Sequence, residues 1–449
     1  MISNREELLK GEYKGDRESL LNFLEAGLEF VLPANLFKEN ISYEGGVLKV
    51  SDLSYDLEKF EKVYVVGFGK ASGFMALSLE EIFGDEIDDG VVVVKDRIEG
   101  LRNIEVVCGS HPVPDEKSVE ASKKVLRFLE KAGENDLVIC LVSGGGSALL
   151  SCPAEGINLG ELTQTSKLLL NSGANISEVN TVRKHISQVK GGCLLKKVFP
   201  ATILSLIISD VSGNRLDVIA SGPLVPDDST FREAVSVLKK HTIWYKVPDS
   251  VREHLECGVK CTIPETPKRG DDIFSKTENV IIADNWTAIN AVKDKAQELG
   301  FTTVVPSDLF TGDVYEVAKE HLVLIEEIQS NPSIGKPACL ITGGESTVKV
   351  CGKGCGGRSQ QFMLSIAKGI PGKNVVAAAI DTDGVDGLSD AAGAIADGDT
   401  IARAEEEGLD SQRFLRENDS HTFFEKLGDT IKTGETGTNV NEVRIIICL

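Results

Sequence analysis

Asp136-Leu137-Val138-Ile139-Cys140-Leu141-Val142-Ser143-Gly144-Gly145-Gly146-Ser147-Ala148-Leu149-Leu150 is an apolar run that stops at three glycines and resumes in helix-forming residues. Such a run predicts a strand buried on both faces, then a loop, then a helix with Ser147 as its N-cap. A plain connection needs one glycine. Three in a row let successive backbone N–H groups converge, and with a helix start they make a concavity suited to phosphate or carboxylate. Ser143, Gly144, Gly145, Gly146 and Ser147 are therefore candidate ligand-binding residues.

A second strand-turn-helix unit lies upstream, Val63-Tyr64-Val65-Val66-Gly67-Phe68-Gly69-Lys70-Ala71-Ser72-Gly73. It satisfies neither phosphate-loop pattern in full. A Walker A loop needs glycine where Tyr64 stands, and a dinucleotide fingerprint needs one at Ser72. Its distinctive residue is Lys70, a point charge at the mouth of a glycine turn. Further along, Asn180-Thr181-Val182-Arg183-Lys184-His185 and Lys190 concentrate positive charge and make Asn180, Arg183, Lys184 and Lys190 candidate substrate- or ATP-binding residues, and Asp210 follows the apolar strand 201–208, where open α/β sheets place their ligands. His111, in a proline-stiffened loop, reads more readily as structural than as a base.

The second half repeats the theme. Asn279 to Ala288 parallels the first unit, and Ala338 to Thr347 parallels the glycine-rich run, with Gly343, Gly344 and Glu345 as a second anion loop. The glycine-dense stretch 351–357 leads into a helix with Arg358 in its first turn, placed for bidentate contact with a phosphate or carboxylate. Asp381, Asp383 and Asp386 follow another apolar strand. Val385 and Ala392 rule out an EF-hand, but three carboxylates suit a well-hydrated Mg²⁺ ion.

These elements predict an α/β protein of two Rossmann-like α/β sandwich domains flanking an active-site cleft. The expected domains are 1–256 and a smaller 279–449, joined by the polar, proline-bearing linker 257–278. The chain has 449 residues and a net charge of −21, which argues against nucleic acid or an anionic membrane as partner. No signal-peptide pattern or run of ~20 apolar residues is present, so a cytoplasmic location is expected. Most of the ten cysteines read as small core residues. Cys257/Cys261 and Cys351/Cys355 have no neighbouring histidine and do not read as zinc sites.

Two anion loops, a Lys and an Arg at glycine turns, and acidic strand ends are the equipment of phosphoryl transfer. With His111-Pro112-Val113-Pro114, Ser209-Asp210-Val211 and Gly357-Arg358-Ser359-Gln360 in the same order, the sequence resembles the glycerate 2-kinase family, whose C-terminal domain is of the MOFRL type. The resemblance covers nearly the whole chain. It implies phosphorylation of D-glycerate by ATP with Mg²⁺, giving 2-phosphoglycerate. It also implies Lys70 and Arg358 as the active-site pair, to which we add Asp210 as a third catalytic residue. Gln361 departs from the family pattern, which more often has glutamate. The residues themselves leave open which loop takes ATP and which takes glycerate. A homodimer is allowed, with the oligomeric state left open. Two other readings compete. An NAD(P)-dependent hydroxypyruvate reductase lacks a convincing acidic ribose-binding residue, and a sugar-phosphate sensor has no use for the three aspartates.

Overall fold

Every position of Leu137–Val142 is buried, as a near-continuous aliphatic run requires of a central parallel strand. A computed structural model describes all 449 residues and divides them into two compact units, Leu36–Ile282 and Met1–Asn35 with Ala283–Leu449.

The first unit opens with an antiparallel meander of β1 (Ile41–Glu44), β2 (Val47–Val50) and β3 (Leu53–Asp56). Its main sheet contains β4 (Val63–Phe68), β5 (Asp89–Val94), β6 (Ile104–Cys108), β7 (Leu137–Val142), β8 (Thr202–Ile208) and β9 (Thr277–Ala283), in the order β6-β5-β4-β7-β8-β9. The pairs β4–β5, β5–β6, β4–β7 and β7–β8 are parallel. Counted within the sheet this is 3-2-1-4-5-6, the doubly wound order, and the switch point lies between β4 and β7. Phe68 pairs with Val142, so the two glycine turns leave the sheet side by side. Val66, Phe68, Val93, Val138, Cys140 and Ile203 pack one core, each large aliphatic or aromatic side chain contributing about 1.5–3 kcal/mol.

In the second unit the strands are β10 (Thr302–Val304), β11 (Phe310–Asp313), β12 (Ala338–Thr347), β13 (Val375–Asp381), β14 (Gly393–Asp397), β15 (Thr430–Ile431) and β16 (Glu442–Cys448). Their order is β10-β12-β16-β13-β14-β15, with β11 also beside β12. Here the expected repeat gives way. β10 and β11 run parallel to β12, but the β12–β16, β16–β13, β13–β14 and β14–β15 pairs are antiparallel. The connection from Asp381 to Gly393 is too short for a helical crossover, which forces a reversal. The α/β class holds, with a doubly wound sheet in one unit and a mixed sheet in the other.

The boundaries also differ from the expected 1–256, 257–278 and 279–449. β9, read as the opening of the second half, is the last strand of the first sheet. The supposed linker holds the end of helix Asp249–Val259 and the 3₁₀ turn Asp272–Phe274, and Pro267 O accepts the Asp227 N–H at 2.9 Å. Residues 1–35 fold with the C-terminal unit. The buried Arg17 guanidinium donates to Asp397 and to Asp429, and Ser3 N–H donates to Lys432 O at 2.7 Å. Such long-range charge pairing leaves no periodic trace in sequence.

Candidate active site

The two turns at the switch point are stitched together. Lys70 N–H donates to Gly144 O at 2.8 Å, Ala71 N–H to Ser143 Oγ at 2.9 Å, and Ser143 N–H to Phe68 O at 3.3 Å. The glycines are sterically required. At Gly69, with φ +135°, a Cβ would stand 2.2 Å from Ser143 Oγ, and at Gly144 it would stand 2.0 Å from Asp210 Oδ2. Gly145 has φ +81° and lies against both the His111 ring and the Lys70 stem. Lys70, Ser143, the glycine run and Asp210 thus converge, joined by His111, which the sequence ranked as structural.

Ser147 does not cap a helix. Gly145 takes the N-cap position of the single turn Gly146–Leu149, and Ser147 Oγ instead shares a hydrogen bond with Ser221 Oγ at 2.8 Å. Ser221 donates on to Asn180 Oδ1 at 3.3 Å. Ala220 and Ser221 adopt φ of +49° and +63°, and the Ala220 methyl sits where a side chain at Gly146 would go. Left-handed non-glycine residues cost about 1–3 kcal/mol each and persist where surrounding structure imposes them. Left-handed Ala and Ser carry no sequence signal, so nothing in the sequence marks residues 217–222.

The basic cluster separates into two groups. Lys190 is buried and donates to Ser147 O at 2.7 Å and Leu150 O at 3.3 Å, fastening the glycine turn from behind. Burial, helped by Arg183, lowers its pKa to about 7. Arg183 makes no hydrogen bond or ion pair, and burial without a counter-charge holds its pKa below the ordinary arginine range. Both line a cavity of about 150 Å³ with Ser147 and the 112–114 loop. Lys184 does not join them. Its ammonium faces Asp227 at 3.4 Å and Asp217 at 3.8 Å, so the expected ligand-binding role gives way to a buried ion pair.

In the other unit Arg358 is the first residue of helix Arg358–Gly369, as expected, but it is not an isolated cation. It holds Asp381 through Nε at 3.1 Å and Nη2 at 2.6 Å, and it lies 3.2 Å from Glu345 and 3.8 Å from Glu442. Burial opposes its charge, but Asp381, Glu442 and Glu345 outweigh burial and hold its pKa above the usual range. Glu442 accepts from Ser346 N–H and Oγ and pairs with buried Arg444. The signal for this pair was a Glu-x-Arg inside the last apolar strand.

Gly343, Gly344 and Glu345 form no loop. They continue β12, because β11 pairs alongside with Phe310 opposite Gly344. A Cβ at Gly344 would stand 2.1 Å from Phe310 O, and one at Gly343 would stand 1.9 Å from Asn285 Oδ1. These glycines serve close approach of chain segments; Gly343 O also accepts from Arg444 Nη1 at 3.2 Å, and Glu345 alone of the three faces Arg358 directly.

The expected Mg²⁺ site does not fit. Asp386 is fully buried and accepts from Ser359 N–H, Gln360 N–H and Gln360 Nε2 at 2.8–3.0 Å, capping the Arg358 helix from outside its own segment. Asp381 is engaged by Arg358, and Asp383 accepts from Val385 N–H at 3.2 Å. No three His, Cys, Asp or Glu side chains are grouped to hold a metal ion, and all ten cysteines are free thiols. Gln361 donates to Tyr315 Oη and Leu415 O, a packing role.

Residues 19–256 match the family described as a domain of unknown function, DUF4147, and residues 338–442 match the MOFRL family. A glycerate 2-kinase of Pyrococcus horikoshii is 43% identical over 408 residues, 89% of this chain and 91% of that protein. A D-glycerate 2-kinase of Thermotoga maritima is 40% identical, covering 86% and 90%. The chain belongs to the glycerate kinase family. The crystal structure of a Thermotoga maritima glycerate kinase superposes with a TM-score of 0.84 at 36% identity, covering 97% of this chain and all of that one. No single helix of the chain is long and apolar enough to cross a membrane.

Proposed function

We propose that this chain transfers a phosphoryl group from ATP to the 2-hydroxyl of D-glycerate, giving 2-phosphoglycerate and ADP. The observation that carries the reading is the pair of glycine turns at the sheet switch point, with Lys70 between them. Developing charge on a transferring phosphoryl group is stabilised by fixed N–H donors and a cation, and little covalent chemistry is asked of the protein. The relatives named for glycerate phosphorylation, similar over most of the chain, supply the acceptor.

In this reading Lys70 neutralises phosphate charge, the Ser143–Ser147 turn offers backbone donors, and Asp210, against Gly144, accepts the hydroxyl proton as general base. Arg358 contributes a second cation whose position is fixed by Asp381 and Glu442. Divalent metal enters with the nucleotide, since Asp381 and Asp386 are committed elsewhere and no three carboxylates are grouped for an ion. We place the enzyme in the cytoplasm.

The test is a coupled assay of ADP release with D-glycerate, with the product identified by ³¹P NMR. A 2-phosphoglycerate signal supports the reading. NADH oxidation by hydroxypyruvate without ADP release from glycerate would replace the kinase with a reductase.

A further inference from the structure

The cavity beside the second glycine turn has a charge that the chain as a whole does not foretell. Lys167, Arg183 and Lys190 line it and no carboxylate does, in a protein with 69 acidic and 48 basic residues. Lys167 lies at the exposed rim, and Lys190 is occupied by two carbonyls. Arg183 is different. Its guanidinium is half-buried, has no acceptor of its own, and carries five N–H donors. A desolvated charge without a partner is costly, and the cost is relieved when an anion arrives.

Size narrows the anion. A volume of about 150 Å³ holds roughly five waters at ~30 Å³ each. That accommodates a three-carbon hydroxy acid, whereas a nucleoside triphosphate would have to extend well beyond it. Pro112, Pro114, Ala148 and Leu162 supply an apolar wall, which strengthens a charge pair by excluding water. Ser147 belongs both to this wall and to the glycine turn, so an acid seated here adjoins the phosphate-type donors.

We propose that this cavity seats D-glycerate, with Arg183 as counter-charge to its carboxylate and the determinant of acid over neutral polyol, and that ATP binds elsewhere. The assignment rests on the kinase reading, and it decides between the two substrates a question the sequence left open.

The experiment measures KM separately for D-glycerate and ATP in Arg183→Met, Arg183→Lys and Ala148→Leu, and titrates D-glycerate and glycerol into nucleotide-free protein by calorimetry. Arg183→Met is expected to raise the glycerate KM roughly 100-fold, as loss of one partner of a desolvated charge pair does, and to leave the ATP KM within about 3-fold. Arg183→Lys should recover part of the loss. Ala148→Leu, which fills the cavity without touching charge, should raise the glycerate KM alone. Calorimetry should show glycerate binding that Arg183→Met abolishes, with no binding of glycerol. Unchanged glycerate KM in Arg183→Met and Ala148→Leu, or a rise confined to ATP, overturns the proposal with the kinase intact. If the wild type fails to phosphorylate glycerate, the kinase reading falls. Calorimetry then decides the cavity alone: Arg183-dependent binding of glycerate upholds it as an acid site, and absence of such binding overturns it.

Discussion

The Asp210 carboxylate occupies the space that a side chain at residue 144 would need, with Oδ2 2.0 Å from the Cβ position of Gly144. The end of β8 thus lies against the turn after β7, and the absence of a side chain at residue 144 is a positional requirement of the carboxylate. Gly144→Ala is therefore expected to displace Asp210 and lower kcat by ~100-fold or more, since misplacing a reacting group by about 1 Å costs that much. Circular dichroism should show the fold retained. Near-normal kcat in the variant would detach Asp210 from the chemistry.

Lys70 is half-buried at a turn, and its backbone N–H ties that turn to Gly144 O. Lys70→Met should cost ~10²–10³ in kcat with little change in melting temperature, as removal of one preorganised charge donor does. A comparable fall in stability would recast Lys70 as structural.

Arg358 behaves differently, because its removal strands Asp381, Glu442 and Glu345. Arg358→Met is expected to lose activity and also about 3–5 kcal/mol of stability, measured by urea unfolding, the range for breaking a buried pair. Arg358→Met/Asp381→Asn should regain part of the stability and none of the activity. If Lys70 and Arg358 serve one step, Lys70→Met/Arg358→Met will lose less than the product of the single losses.

Legibility followed the range of the interaction. Strands β4 and β7 with their glycine turns were readable because a buried parallel strand is a continuous apolar run and its turn needs glycine locally. Gly343-Gly344 misled for the same reason: two glycines signal a turn, while the constraint comes from β11 running alongside. Asp386 was misread as a metal ligand, since nothing near it in sequence reveals that it caps a helix starting at Arg358. The Arg17–Asp397–Asp429 group joins residues some four hundred positions apart, beyond any window.

Lys190 gives a pH signature. Its folded pKa of about 7 lies below its ordinary value near 10.5, so between these limits the unfolded chain binds the extra proton and stability rises with pH. Subtracting the Lys190→Met profile from that of the wild type over pH 6.5–10 should leave a rise of a few kcal/mol. A flat difference would mean that Lys190 is charged in the folded protein throughout.

Chelators should separate fold from turnover. With no cluster arranged for a metal and free thiols throughout, a zinc chelator is expected to leave the melting temperature unchanged, and EDTA to stop catalysis by sequestering the metal that accompanies ATP. A drop of several degrees with either chelator would reveal a structural ion.

The pairing of Arg17 with Asp397 and Asp429 has a consequence for biosynthesis. Met1–Asn35 leaves the ribosome well before the C-terminal strands, and the carboxylate partners of Arg17 are made about 380 residues later, a delay of roughly 20–80 s at 5–20 residues per second. Until helix Asn285–Glu298 and Phe301, against which it packs, have been made, helix Lys14–Phe30 must wait with Leu20, Leu21, Phe23 and Leu24 uncovered, while the inserted unit Leu36–Ile282 completes itself. The nascent chain therefore presents an apolar amphipathic segment of the kind that holdase chaperones bind, and the final act of folding is the capture of the beginning by the end.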